Sequence, residues 1–137
     1  MEEIRLRPIG RVERDEGDEG LRGQALRARP ARIVLDPAVT DALLGLESGS
    51  DVLVICYFHH ADRDVLQVHP RGNQQNPLRG VFATRSPARP NPVAITSARI
   101  RRIDDNVLHV VGLDALDGTP VIDIKSYAES FDTPYEQ

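Results

Sequence analysis

The sequence predicts a mainly β protein, a small and mostly antiparallel β-barrel with one short helix. The 137-residue chain contains a series of short apolar segments separated by turn-forming residues, which is the pattern of a barrel or strongly curved sheet. Only one segment carries the start and stop signals of a helix. This length is enough to bury a core without disulfides or a metal.

The strand candidates are short segments rich in β-branched and other apolar residues. They are residues 4–12, 31–35, 51–60, 65–69, 80–84, 93–103, 107–113 and 121–127. The third candidate is continuously apolar from Val52 to Phe58, which is typical of a strand buried on both faces.

The helix is predicted from Asp36 to about Leu44, since Asp36 is a good N-cap and the next residue is a proline at the first helical position. It should end at Gly45. The charged, Gly-rich segment 13–23 is predicted to be a mobile loop. Residues 104–106 form a turn in which we expect Asn106 to take a positive φ, and the tail after Ser130 is expected to be loosely held or exchanged with a partner.

Composition narrows the function classes. A net charge of −4 argues against a general nucleic-acid binder, yet no Asp or Glu occurs between Val65 and Ile103 while seven Arg do. This window predicts a localised basic face, and Arg suits carboxylates and phosphates. No apolar stretch is long enough to span a bilayer, and no secretory signal is visible. The single Cys56 is predicted to be a buried free thiol, which fits a cytoplasmic location.

The most informative segment is Gly-Val-Phe-Ala-Thr-Arg-Ser-Pro-Ala-Arg-Pro-Asn-Pro, residues 80–92, called here the Arg-Pro loop. Its three prolines restrict their own φ and the residues before them. A stiff loop loses little entropy when a ligand binds. We therefore expect Arg85 and Arg89 to recognise a carboxylate or phosphate, the alternative being a solvated surface loop.

A second candidate segment spans residues 114–125. Asp117 and Gly118 are a strong turn signal, so a plain hairpin turn is one interpretation. The following strand alternates so that Val121, Asp123 and Lys125 should share one face. A carboxylate and an ammonium on that face favour a site role.

Histidines provide a weaker signal. His59 and His60 are adjacent on a predicted strand and should point to opposite faces, so one imidazole would lie in a pocket and the other on the surface. We expect no metal site, because the spacing matches no known metal motif.

These residues resemble the TsaA-like or TrmO family of S-adenosylmethionine (SAM)-dependent methyltransferases. The resemblance rests on residues 80–92, on Leu-Asp-Gly-Thr-Pro-Val-Ile-Asp-Ile-Lys-Ser-Tyr at 116–127, and on Tyr-Phe-His at 57–59. Arg-Gly-Asn at 71–73 and Pro-Ile-Gly at 8–10 also match. The chain departs from the family pattern at Ala94, where Gly is usual.

The resemblance implies a single TsaA-like domain over residues 1–137, a β-barrel that works as a homodimer and binds SAM without a Rossmann motif. It implies N6-methylation of threonylcarbamoyl-adenosine at position 37 of tRNA, with no membrane partner. The basic window would then dock tRNA phosphates, so tRNA binding should weaken steeply with salt.

The resemblance also implies site residues. Apolar contacts to adenine would come from Phe58, Phe82 and Leu116, and backbone groups from Leu116 to Thr119 would bind its edge. Arg85 or Arg89 would hold the methionine carboxylate, and Asp117 or Asp123 would favour the sulfonium or amino group. The expected cofactor-binding residues are Phe58, His59, Phe82, Arg85, Ser86, Arg89, Leu116, Asp117, Gly118 and Thr119. The expected residues that orient or deprotonate the acceptor are Asn91, Asp123 and Tyr127.

Three alternatives remain open from the sequence. The same cofactor site could methylate a small metabolite, or the chain could bind SAM without catalysis. The third alternative is a metal hydrolase that uses His59, Asp62 and His69.

Overall fold

The computed structural model of the protein describes residues 1–136. Its strands are β1 (Gly10–Glu13), β2 (Ala31–Leu35), β3 (Asp51–Tyr57), β4 (Gln67–Val68), β5 (Arg79–Gly80), β6 (Val93–Asp104), β7 (Val107–Val111) and β8 (Pro120–Ser126). The α-helices are α1 (Gly23–Arg27) and α2 (Glu129–Asp132), and 3₁₀ turns cover Glu16–Asp18, Pro37–Leu43, Pro70–Gly72 and Val81–Ala83. None of the helices in this part of the chain is long and apolar enough to cross a membrane.

Six strands close into a barrel in the order β1-β2-β7-β6-β3-β8. The registered pairs β1–β2, β1–β8, β2–β7, β3–β8 and β6–β7 are all antiparallel. The predicted antiparallel barrel is therefore confirmed. Its two closing strands β1 and β8 meet where Gly10 lies opposite Val121.

The barrel core consists of the inward residues of these strands. The fully buried ones include Val12, Ile33, Val52, Val54, Cys56, Ile100, Leu108, Val110 and Val121. Gly10 must be small here, because a Cβ atom at this position would lie 2.4 Å from the Val34 carbonyl oxygen. The predicted burial of Cys56 is confirmed, and burial raises the pKa of its thiol to about 12.

The chain divides into two compact units. The first comprises residues 1–56 and the chain from Ile95 onward, and the second comprises Tyr57–Ala94. The second unit contains the two-stranded sheet β4–β5 and the Arg-Pro loop.

Several local predictions hold. The strand 31–35 has the predicted bounds. Asp36 caps the following helical segment by accepting a hydrogen bond from the Ala38 amide at 3.0 Å, although the segment is 3₁₀ rather than α. Gly45 follows its end with a φ of +98°, as a left-handed residue after a helix requires.

Other local predictions are wrong. The predicted strand 4–12 begins only at Gly10, and most of the predicted strand 80–84 is the 3₁₀ turn Val81–Ala83. The strand predicted over 51–60 ends at Tyr57, and its residues alternate between buried and partly exposed rather than being buried on both faces. In the turn after β6 the positive φ of +51° belongs to Asp105, not to Asn106. The side chain of Asn106 instead donates to the Leu35 carbonyl at 2.7 Å.

The segment 13–23 also differs from its prediction. It contains a 3₁₀ turn, and two of its charged residues, Arg14 and Asp18, are only 7% and 4% exposed. A segment that buries two charges has fixed partners, so it is not the freely solvated loop that its composition indicated.

Candidate functional site

The Arg-Pro loop begins with an anchored turn. Val81 is buried, and its amide donates to the Leu66 carbonyl at 2.9 Å. The next residue, Phe82, is 84% exposed. An aromatic ring that stays in contact with water lacks the favourable free energy that burial of its apolar surface would provide. This turn therefore presents an aromatic side chain to solvent.

Arg89 stabilises the loop from within. Its Nη1 donates to the carbonyl oxygens of Ser86 at 3.0 Å and Thr84 at 3.3 Å, and its Nη2 donates to that of Val81 at 3.1 Å. The guanidinium is thus engaged by the backbone of its own loop. Of the two arginines predicted to grip an anion, Arg85 is the exposed one.

The hydroxyl of Thr84 adds a second restraint. It donates to the Val81 carbonyl at 2.8 Å and accepts from the Ser86 amide at 3.1 Å. These bonds fix the backbone of Ser86 beside the exposed Arg85. The predicted stiffness of the loop has this physical basis in addition to its prolines.

Arg63 holds the end of the Arg-Pro loop. Its Nε donates to the Pro90 carbonyl at 2.7 Å, and its Nη2 donates to Asn91 Oδ1 at 2.9 Å. Asp62 adds a backbone contact, since its carbonyl accepts from the Arg89 amide at 3.1 Å. Sequence reasoning missed Arg63 because 28 positions separate it from Asn91 and no local spacing relates them.

The Arg63 contact fixes which end of the Asn91 amide is available. Arginine only donates, so the atom that faces it must be the amide oxygen. The exposed Asn91 side chain therefore presents its NH₂ group outward as a donor. This atom can orient a carbonyl or carboxylate, but it cannot take a proton.

The neighbouring segment holds Phe58 and His59. Phe58 is half-buried, and its amide donates to the Pro92 carbonyl at 2.8 Å. The rings of His59 and His60 lie with centroids 3.8 Å apart, and both residues are exposed. The prediction of opposite faces is wrong because the strand has already ended at Tyr57. Across the described residues, no three His, Cys, Asp or Glu side chains gather into a group that could hold a metal ion.

Residues 116–119 of the second candidate segment, called here the Asp-Gly turn, lie in the first unit. The Leu116 carbonyl accepts from the Thr119 amide at 3.2 Å and from its hydroxyl at 2.7 Å. Gly118 has a φ of +82°, as the third position of a type II turn requires. The Val12 carbonyl accepts from the Gly118 amide, and the Val12 amide donates to the Thr119 carbonyl, at 2.8 Å each. These two hydrogen bonds hold the turn against β1. A turn forms where the sequence predicts one, but it is not a hairpin turn, because β7 and β8 are not neighbours in the barrel.

The Asp-Gly turn presents two side chains outward. Leu116 is 43% exposed. Asp117 is exposed, and its Oδ1 accepts from the Arg14 amide at 2.8 Å. Thr119 is buried and serves the turn itself. Arg14 is a second residue that sequence reasoning missed, because it lies about a hundred positions away in a segment predicted to be mobile.

Asp123 and Tyr127 lie on and just after β8. The β3–β8 register pairs Ile55 with Asp123 and Cys56 with Val121, which leaves Ile122 as a bulge. Val121 and Asp123 consequently face opposite sides, so the prediction that they share a face is wrong. Asp123 forms an ion pair with Lys125 at 3.3 Å, and Tyr127 is 48% exposed.

In the basic window between Val65 and Ile103, two arginines form ion pairs that the sequence did not indicate. Arg99 binds Asp51 of the neighbouring strand through two bonds of 2.8 and 3.1 Å, and hydrogen bonding to Arg99 lowers the pKa of Asp51. Arg102 lies 3.0 Å from Asp104. Asp51, which is distant in the sequence, and Asp104, just past the window, thus neutralise two of its arginines.

Arg71, Arg79 and Arg101 are exposed members of the same window. Arg71 has a φ of +60°, in the region that favours glycine. Its loop is held by His69 Nδ1, which lies 2.8 Å from the Asn76 carbonyl, and by Asn76 Nδ2, which donates to the Pro70 carbonyl at 2.7 Å. Such a strained, exposed arginine is a functional candidate.

Comparison with known proteins decides the family. The model of the tRNA-methyltransferase O N-terminal domain matches residues 19–133. The chain belongs to this family. The predicted TsaA-like or TrmO resemblance is therefore confirmed.

Relatives match this chain over its whole length or over part of it. A probable S-adenosyl-L-methionine-binding protein of Methanothermobacter thermautotrophicus is 43% identical over 134 residues, covering 96% of this chain and 95% of the relative. The tRNA (adenine(37)-N6)-methyltransferase of Mus musculus is 38% identical over 96 residues, which cover 68% of this chain and 22% of the mouse protein.

A crystal structure of TrmO has the same fold. It superposes with a TM-score of 0.74 at 31% identity and covers 99% of this chain. This chain spans 62% of the length of that solved chain.

Proposed function

We propose that the protein binds SAM and transfers its methyl group to N6 of the threonylcarbamoyl-adenosine at position 37 of tRNA. Family membership confirms the predicted enzyme class, a SAM-dependent methyltransferase, and the predicted cofactor, SAM. The proposal that tRNA is the substrate rests on a single observation. The mouse relative is named a tRNA (adenine(37)-N6)-methyltransferase.

The residues present fit the chemistry of SAM. The cofactor has an adenine with apolar faces, a carboxylate, an ammonium and a sulfonium, and when bound it supplies an electrophilic methyl group. The exposed Leu116 and Phe82 offer apolar surface of the kind adenine needs. Backbone groups of the Asp-Gly turn, which is rigid, would bind the edge of the base.

The charged ends of the cofactor would have separate partners. We assign the methionine carboxylate to Arg85, because Arg89 already donates to three carbonyl oxygens of its loop. Asp117 would favour the ammonium or sulfonium, since Asp117 Oδ1 accepts from a backbone amide and Oδ2 would receive the cation. Phe58, His59, Ser86, Gly118 and Thr119 would support these contacts as parts of the two segments.

Asn91 would orient the acceptor. Its outward NH₂ group can donate to the carbonyl of the urea-like group, which holds the acceptor nitrogen in line for displacement at the methyl carbon. Asp123 and Tyr127 remain the candidates for the late proton transfer, because the neutral carboxamide of Asn91 is not a base. Positioning, rather than strong base catalysis, would supply most of the rate enhancement.

Docking of tRNA would use arginines of the basic window that form no ion pair with a carboxylate in the described part of the chain. Arg71, Arg79 and Arg101 are exposed, whereas Arg99 and Arg102 bind Asp51 and Asp104. Phosphates release counterions when they bind such side chains, so affinity should fall with salt. Action on tRNA would place the protein in the cytoplasm.

A homodimer is also proposed. Phe131 and Tyr135 near the C-terminal end are 88% and 90% exposed, and Leu44 is 95% exposed. Such apolar side chains favour association when they form part of an interface. We propose that a second copy of the chain covers these side chains, and sedimentation equilibrium would measure the association.

Two measurements test the proposed function. Isothermal titration with SAM should give a saturable heat, and no binding would contradict the whole proposal. Methyl transfer should then occur to tRNA that carries threonylcarbamoyl-adenosine and not to the same tRNA lacking the modification. SAM binding with no transfer to either tRNA would favour a small-molecule acceptor or a non-catalytic SAM-binding protein.

A further inference from the structure

Arg14 is a buried arginine that follows β1. Only 7% of the residue is exposed, and its guanidinium donates to three backbone carbonyls. Nε donates to Ala115 at 2.7 Å, Nη1 donates to Leu26 at 3.3 Å, and Nη2 donates to Leu113. Two of these acceptors lie just before the Asp-Gly turn, and the third lies in α1.

The backbone of Arg14 holds the same turn from its other side. Its amide donates to Asp117 Oδ1 at 2.8 Å. Side chain and main chain of one residue thus bind positions 113, 115 and 117, which alternate through the approach to the turn. Leu113 and Ala115 are buried, whereas Leu116 is exposed.

Burial lowers the pKa of Arg14, while the charges of Asp18, Asp114 and Asp117 act in the opposite direction. Asp18 is itself buried and binds Arg29 Nε at 2.7 Å, and its Oδ2 has no hydrogen-bond partner in the described structure. Burying charged groups is expensive, and apolar residues of similar volume often stabilise a fold equally well. Stability alone is therefore a poor reason for a guanidinium at this position.

We infer that Arg14 is a positioning residue that sets the geometry of the Asp-Gly turn for cofactor binding. The inference rests on the proposed function of that turn. The planar guanidinium reaches three carbonyls in fixed directions, which a lysine ammonium cannot reproduce. Without it, the carbonyls of Leu113 and Ala115 lose their charged donor, and the backbone that carries Leu116 and Asp117 becomes mobile.

The test compares Arg14→Lys and Arg14→Met with the wild type. We expect the dissociation constant for SAM to rise about tenfold or more, while the KM for tRNA changes less than about twofold. Amide hydrogen exchange should accelerate at residues 113–119 and remain unchanged in β2 and β7. Arg22→Met is the matched control, because Arg22 is exposed and, among residues 1–136, its side chain donates only to the adjacent Leu21 carbonyl.

A stability control separates positioning from simple destabilisation. Val110→Ala removes buried volume from the barrel and should lower the Tm without weakening SAM binding at a temperature well below that Tm. If Val110→Ala weakens SAM binding as much as Arg14→Lys does, the role is merely structural and the inference is wrong. Wild-type SAM affinity and exchange rates in a folded Arg14→Lys would equally overturn it.

Failure of the proposed function gives a different result. If the wild type does not bind SAM, the proposed function is wrong, and hydrogen exchange still reports whether Arg14 orders residues 113–119. Should Arg14→Met not fold, Arg14→Lys provides both measurements.

Discussion

Arg63 Nη2 donates to Asn91 Oδ1 across 2.9 Å and so determines which atom of the Asn91 amide faces outward. The contact joins two segments of the second unit, because Arg63 also binds the Pro90 carbonyl. One arginine thereby fixes both the path of the Arg-Pro loop at its end and the orientation of a proposed acceptor-binding group.

This relationship predicts the behaviour of Asn91→Asp and Arg63→Met. A carboxylate at position 91 keeps an oxygen acceptor for Arg63 but has no donor, so we expect the kcat for methyl transfer to fall about 100-fold, as when a positioned donor is lost. Arg63→Met leaves the donor present but unoriented, so the fall should be smaller, about tenfold. Steady-state kinetics at saturating SAM measure both. Similar kcat values for Asn91→Asp and the wild type would contradict the donor role.

Arg89 should contribute more to stability than to recognition. Its guanidinium serves three carbonyls of the Arg-Pro loop, and hydrogen bonds to charged groups contribute about 1.5–3 kcal/mol each before relaxation and solvent exposure reduce the net value. We expect Arg89→Met to lower the free energy of unfolding by about 2 kcal/mol, measured by urea denaturation. Arg79→Met, at an exposed position just before the loop, is the control and should change it by less than about 0.5 kcal/mol. Equal losses would show that Arg89 is not a loop-stabilising residue.

Arg99 and Arg101 form a matched pair on β6 for tRNA binding. Arg99 is already bound to Asp51 through two hydrogen bonds, whereas Arg101 is proposed to contact phosphate. We expect Arg101→Gln to reduce the slope of log affinity against log salt concentration by about 1. Arg99→Gln should change it less, because the neutralised arginine releases fewer counterions. Filter binding across a salt series gives both slopes, and the reverse order would overturn this assignment.

Cys56 should make the protein less stable at alkaline pH. Burial raises the pKa of its thiol to about 12 in the folded state, whereas an unfolded chain has about 8.5. Between these values the unfolded state loses the proton and the folded state keeps it, so the free energy of unfolding decreases as pH rises. The decrease should be smaller in Cys56→Ala, since other groups titrate equally in both proteins. Denaturation of the two proteins from pH 8 to pH 10 measures the difference.

The same burial predicts slow reaction of Cys56 with a thiol reagent at neutral pH. Labelling should become fast only when denaturant unfolds the barrel. Rapid labelling of the native protein would show that the thiol is accessible.

Much of the fold follows from patterns within a few residues. Asp36 and Pro37 predict a helical start because capping is a local interaction, and the structure has the Asp36 cap. The apolar segment 31–35 predicts a strand, and the cluster of such segments predicts the antiparallel barrel. The motifs at 80–92 and 116–127 also indicate the family from sequence alone.

The incorrect predictions concern segments whose conformation depends on residues that are distant in the sequence. The composition of segment 13–23 predicts a solvated loop, but in the structure Arg14 donates hydrogen bonds to the carbonyls of Leu113 and Ala115. Asp123 leaves the face of Val121 because β3 imposes a bulge on β8. Such effects depend on register between strands that are far apart in the sequence.

The sequence by itself determined the barrel class, the helix cap, the buried thiol and the two motifs, because each depends on local propensity or on apolar patterning. Only the tertiary structure decided which polar side chains remain available. It binds Arg89 to its own loop, Arg99 to Asp51 and Arg63 to Asn91. The physical reason is that a hydrogen bond requires its partner within about 3 Å, and residue types and spacing along the chain do not determine which groups come that close.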